Sequence, residues 1–138
     1  MNYLLDTNVI SELQKPQGSQ KVKSFIASIP LETMYVSAVT IGEICYGVEK
    51  MPVNKKKHEL LLWLYRDISK WFKDRVIPVE NELALEWGKM RARVKRTLPS
   101  LDSQIAATAL LHNMILVTKN TKDFIDIEGI DLLNPWEL

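Results

Sequence analysis

Cysteine is nearly missing from these 138 residues: Cys45 stands alone, so no internal disulfide and no thiolate metal cluster can form. Redox chemistry is not expected, and the fold must be held by its core. Histidine is almost as scarce. His58 and His112 have no partner at i+4, which removes a zinc site of the HExxH kind and leaves both as solvated side chains. Long apolar runs are absent too, since the longest, Leu60 to Tyr65, has six residues against the ~20 that a membrane-spanning helix needs. The opening MNYLLDTN lacks a basic n-region and puts Asp6 where a signal peptide would be apolar, so a cytoplasmic protein is expected. Neither GxxxxGK[ST], GxGxxG nor GxSxG occurs. P-loop hydrolysis, dinucleotide binding and an α/β-hydrolase nucleophile are thereby disfavoured.

What is present is an ordinary globular composition, 46% apolar and 25% charged, on a length that suits one domain over residues 1–138. The net charge of +1 hides a segregation. Residues 50–96 carry thirteen Lys/Arg against six Asp/Glu, whereas the remainder carries five against eleven. A cation site beside a polyanion-binding face would leave such a trace.

Apolar periodicity divides the chain into alternating strands and helices. Asn2 to Leu5 reads as a strand, followed by a helix capped by Thr7 or Asn8 that buries Val9, Ile10 and Leu13. Ser19 opens a second helix, with Val22, Phe25, Ile26 and Ile29 on one face and Pro30 closing it. Met34 to Ser37 is the next strand, and Ser37 or Thr40 starts a helix burying Ile41, Ile44, Cys45 and Val48. Asn54 caps a long helix to about Lys73 whose apolar face is unusually wide, wide enough to suggest burial against another chain. Arg75 to Val79 is a strand that Pro78 confines to a sheet edge. A helix from about Asn81 to Arg96 ends in basic residues, Pro99 breaks the chain, and Ser100 or Asp102 opens an alanine-rich helix that Asn113 terminates. Ile115 to Thr118 and Ile130 to Leu133 complete the strands, with a helical turn over Lys122 to Ile125 between them. The alternation implies a three-layer α/β/α fold with a mostly parallel central sheet.

Four acids fall at element junctions: Asp6 after the first strand, Glu43 early in the helix after the second, Asp102 at the alanine-rich helix, and Asp123 beyond the Ile115 to Thr118 strand. In a parallel sheet these junctions share the carboxyl edge, where ligands bind. Any one such Asp is ordinarily a cap. Four together would repel and raise one another's pKa, so they need a cation, and an all-oxygen donor set favours Mg²⁺ or Mn²⁺. Thr7, Asn8, Thr118 and Asn120 could orient the carboxylates or their waters.

The segments YLLDTNVISEL, VSAVTIGEICYGVEK, LPSLDSQIAATAL and ILVTKNTKDF…LLNPW, taken in order across the chain, resemble a PIN domain of the VapC and FitB-like kind. The resemblance implies a Mg²⁺- or Mn²⁺-dependent endoribonuclease, usually the toxin of a type II toxin–antitoxin pair, with RNA as substrate and a cognate antitoxin as partner. A homodimer is expected as well, and no membrane association. Asp6, Glu43 and Asp102 match the three acidic positions of the family site. The fourth is either Asn120, where many relatives carry Asp, or Asp123 three residues on. Asp6, Glu43, Asp102 and Asp123 are then the metal ligands, and Lys89, Arg91, Arg93, Lys95 and Arg96 the RNA-phosphate contacts. The alternative is a non-catalytic binding module in which the same acids only cap helices.

Overall fold

Strands β1 (Tyr3–Leu5), β2 (Met34–Ser37), β3 (Val76–Ile77), β4 (Ile115–Val117) and β5 (Asp131–Leu133) pair in parallel as one sheet ordered β3-β2-β1-β4-β5 in the computed structural model, which describes residues 1–138. The chain steps outward from β1 through β2 to β3, then returns to the other side of β1 for β4 and β5. Strand order therefore reverses between β1 and β4, and a crevice belongs at the carboxyl ends of that pair.

Alternate side chains of the strands feed two separate cores, as a sheet covered on both faces requires. Leu5, Val36 and Val117 join the core under helices α1 (Thr7–Leu13), α2 (Gln20–Ser28) and α3 (Ala38–Glu49) and the long helix after them. Leu4, Leu116 and Ile77 join the core under α6 (Asn81–Arg93) and α7 (Ser100–Leu111). Each fully buried Leu, Val or Ile contributes about 1.5–3 kcal/mol. Ala106, Ala107 and Ala109 are buried along α7, where their small side chains let the helix lie close to the sheet. The three-layer architecture read from the sequence is the one observed.

The long helix is continuous but not uniform: α4 (Lys55–Leu62) passes through a π-helical stretch, Trp63–Ile68, into α5 (Ser69–Phe72). Asn54 caps it by accepting from the Lys57 N–H at 2.9 Å. Leu64, Ile68 and Phe72 lie in the core, with Leu60, Leu61 and Trp63 packed beside them. Much of the broad apolar face is thus spent within the chain; Leu62 and Tyr65 stay exposed at 41% and 63%. No helix is long and apolar enough to cross a membrane.

Three local readings are corrected. The first helix is capped by Asp6, not by Thr7 or Asn8, because Asp6 is extended and accepts from the Thr7 N–H. Asp102 does not open α7; Pro99 occupies the cap position and Asp102 lies in the first turn. Finally α6 ends at Arg93 rather than Arg96, since Val94 turns extended (φ −81°, ψ 129°) and packs with Leu98 against the core. Lys95 and Arg96 consequently lie outside the helix. The edge placement of β3 and the end of α7 before Asn113 are both as read from the sequence, and Asn113 makes that stop by turning left-handed (φ 54°).

Candidate active site

Asp6 sits where strand order reverses. Its N–H donates to the Val117 carbonyl at 3.0 Å, extending the β1–β4 ladder by one residue before the chain turns into α1. Both carboxylate oxygens are held at 2.7 Å: Oδ1 accepts from the Thr7 N–H and Oδ2 from the Thr118 hydroxyl. The residue is only 5% exposed. Burial pushes its pKa above the ordinary aspartate value, against the two hydrogen bonds, and repulsion from Asp102 and Glu43 adds to the rise.

Thr118 is the hub of this corner. While donating to Asp6 its oxygen accepts from Asn8 Nδ2 at 3.4 Å and from the Asn120 N–H at 3.2 Å, so the loop after β4 is tied to the start of α1. Thr7 links the next acid. Its hydroxyl donates to Glu43 Oε1 at 2.8 Å, with Thr40 Oγ1 3.3 Å away, and α3 thereby presents Glu43 to the same crevice.

Asp102, half-buried in the first turn of α7, has its pKa raised by burial and then by the negative charge of Asp123. The partial positive charge of the helix N-terminus works the other way. Asp102 and Asp123 line a cavity of about 160 Å³ together with Ser103, Leu98 and Phe124. Asp123 ends a 3₁₀ turn, Thr121–Asp123, and its N–H donates to the Asn120 carbonyl at 3.0 Å. Asn120 and Asp123 therefore belong to one turn. Asn120 reaches the Thr118 hub through its backbone, and its side chain is exposed.

The four acids share an electrostatic neighbourhood without forming a closed cage. Asp6 is repelled by Asp102 and Glu43, and Asp102 by Asp123, yet no three His, Cys, Asp or Glu side chains stand close enough to hold an ion jointly. An open set of oxygen donors suits a hard cation that keeps much of its water, as Mg²⁺ does. It also suits the raised pKa values, because a cation relieves both desolvation and repulsion.

The basic residues divide. Lys89, Arg91 and Arg93 are exposed on α6, with the Arg91 guanidinium 3.9 Å over the Trp87 ring. Lys95 is exposed beyond the helix end. Arg96 is already engaged, its Nε and Nη2 donating to the two carboxylate oxygens of Asp126 at 2.7 and 2.8 Å. Of the five residues expected to contact RNA phosphates, Arg96 is thus the one whose guanidinium already has an acidic partner within the chain. Sequence reasoning also missed Trp87, whose indole donates to Ser103 at 2.8 Å and pins α6 to α7 beside Asp102; a Trp on an apolar stripe carries no local sign of such a partner.

Residues 3–130 match the PIN domain family. The chain belongs to that family. This PIN domain is 33% identical over 137 residues to "VapC ribonuclease Y4jK" of Sinorhizobium fredii, covering 97% of each chain. It is 35% identical over 136 residues to "Toxin FitB" of Neisseria gonorrhoeae, covering 96% of this PIN domain and 97% of FitB. The crystal structure of FitAcB from N. gonorrhoeae superposes with a TM-score of 0.92 at 34% identity, covering 99% of both chains. The PIN domain thus falls among VapC/FitB toxins.

Proposed function

We propose that this PIN domain is a Mg²⁺- or Mn²⁺-dependent endoribonuclease that acts in the cytoplasm as the toxin of a type II toxin–antitoxin pair. The observation that carries the reading is Asp6: a carboxylate buried at the reversal of strand order, fixed at both oxygens, within electrostatic reach of Glu43 and Asp102. Likeness to a VapC ribonuclease and to a toxin over almost the whole chain supports it.

Asp6, Glu43 and Asp102 would hold the cation partly through its retained water shell, since they do not close on it directly, with Asp123 completing the site. A divalent ion supplies Lewis-acid activation of water and neutralises charge developing on the phosphate. The chain's own contribution is orientation. Thr118 and the Thr7 N–H fix Asp6, the Thr7 hydroxyl fixes Glu43, and the Asn120–Asp123 turn sets the fourth acid. Lys89, Arg91 and Arg93 offer exposed positive charge to the RNA backbone. Exposed Leu62 and Tyr65, with Tyr46 on α3, are apolar surface for an antitoxin segment or a second copy to cover.

Two expected results test this reading. RNA cleavage stops in excess chelator and returns with added Mg²⁺ or Mn²⁺; undiminished cleavage in chelator removes the metal, and intact RNA under every condition favours the non-catalytic binding module. Replacing Lys89 and Arg93 together weakens RNA binding and flattens its salt dependence by about 0.7 in log–log slope for each single-strand phosphate no longer neutralised. An unaltered slope moves the RNA face off α6.

A further inference from the structure

We propose that Arg96 is a positioning residue: by gripping Asp126 and the backbone of Asp123 together, it sets the Asn120–Asp123 turn so that the Asp123 carboxylate stands across the cavity from Asp102. The proposal rests on the reading of Asp102 and Asp123 as metal-holding acids.

One guanidinium serves three acceptors. Nε and Nη2 donate to the two carboxylate oxygens of Asp126 at 2.7 and 2.8 Å, and Nη2 also donates to the Asp123 carbonyl. Arg96 itself lines the cavity that Asp102 and Asp123 share. It enters from the segment between α6 and α7, so the clasp joins two loops thirty residues apart. Within its own loop the turn is held by short-range bonds, Asp123 N–H to the Asn120 carbonyl and Phe124 N–H to the Thr121 carbonyl, both 3.0 Å. Phe124 and Ile127 anchor it in the core. To these restraints from within the loop the clasp adds one from outside it, at the Asp123 carbonyl and the Asp126 carboxylate.

Charge explains why Asp126 is needed. An arginine beside Asp102 and Asp123 would compete with a cation for their carboxylates. Asp126 takes the Nε–Nη2 edge of the fork and balances its charge, and Asp123 is met through its carbonyl, which leaves its carboxylate for the site. The side chains of Arg96 and Asp126 are 42% and 47% exposed, and exposed pairs add little to stability. The arrangement therefore works by geometry.

The test compares Arg96→Ala, Asp126→Ala, Arg96→Lys and the double Ala variant with wild type. Mn²⁺ affinity is read without RNA from the free-ion electron paramagnetic resonance signal, and hydrogen exchange over residues 121–127 is followed alongside. Both single Ala variants are expected to weaken Mn²⁺ binding about tenfold, the lower end for removal of ligand-orienting partners, and to speed exchange in the turn while melting near wild type. The double variant should be no worse than the singles, because one clasp is broken either way. Lysine at 96 restores charge without the fork and should recover only part of the affinity. Mn²⁺ binding and exchange at wild-type values in Arg96→Ala overturn the proposal. So does a raised KM for RNA in Arg96→Ala with Asp126→Ala unaffected, the pattern of a direct phosphate contact. Asp6→Asn separates the two levels: wild-type Mn²⁺ binding and cleavage in that variant overturn the metal-site reading itself, whereas its loss beside an unaltered Arg96→Ala overturns the clasp alone.

Discussion

Asp6→Asn is expected to lower RNA cleavage by at least about 10²–10³-fold, the scale of losing a principal electrostatic group at a reacting centre, and yet to melt above wild type at pH 7 in metal-free buffer. The stability gain follows from where Asp6 sits. Burial, with repulsion from Asp102 and Glu43, raises its pKa in the folded chain despite the hydrogen bonds from Thr118 and the Thr7 N–H. The native state thus holds that proton more tightly than the unfolded chain does. Folding is accordingly favoured below the unfolded pKa and loses this contribution as pH rises through the higher folded value. At neutral pH the ionised group costs stability, and asparagine removes the cost. Asparagine also caps a helix as well as aspartate does, so α1 keeps its start. The melting advantage should shrink as pH falls toward the ordinary aspartate range, where wild-type Asp6 takes up its proton. Asp102→Asn should show the same sign with a smaller gain, since Asp102 is less deeply buried. Thermal melts at pH 7 and near pH 4, beside cleavage rates, check all three points. Wild-type turnover removes Asp6 from the chemistry, and a lower melting temperature at pH 7 means that its hydrogen bonds outweigh its burial.

The layered fold is legible in the sequence because its signals are local. Ser19, Ser37 and Asn54 cap helices as their types imply, Pro78 follows an edge strand, and Asn113 takes the left-handed conformation that ends α7. Local reading fails where distant residues decide. Thr7 reads as a cap, but Asp6 does that work because β4 fixes its backbone and Thr118 its side chain. Arg96 reads as the end of a helix, but Val94 and Leu98 are drawn into the core and Asp126 captures the guanidinium. The π-helical turn over Trp63–Ile68 has no signature in apolar spacing, since six consecutive apolar residues satisfy several periods at once. At the site, residue types and junction positions point to Asp6, Glu43, Asp102 and Asp123, whereas the threonine hub that orients them depends on contacts across more than a hundred residues.

That hub supports the largest stability loss expected from a single conservative change. Thr118 is fully buried, and valine would fill nearly its volume while deleting the hydroxyl that donates to Asp6 Oδ2 at 2.7 Å. A hydrogen bond to a charged group contributes about 1.5–3 kcal/mol. In a domain of this size each kcal/mol moves the melting temperature by roughly 2–4 °C. Thr118→Val is therefore expected to melt several degrees below wild type at pH 7. Asn8 and the Asn120 N–H lose their acceptor in the same step, which loosens the loop after β4. The pH dependence carries a definite sign. Thr118 lowers the pKa of Asp6, so removing it raises that pKa further, and the penalty is greatest where Asp6 is ionised. It fades as pH falls and Asp6 protonates. In the Asp6→Asn background the substitution should cost less, and the shortfall measures the coupling between the two side chains. For cleavage, the acidic side of the rate profile should move to higher pH, because the carboxylate becomes harder to ionise. Thr118→Ser keeps the hydroxyl and should restore both the profile and most of the stability. A Thr118→Val protein that melts with wild type at pH 7 and leaves the profile in place would show that the hydroxyl does not hold Asp6 in its ionised form.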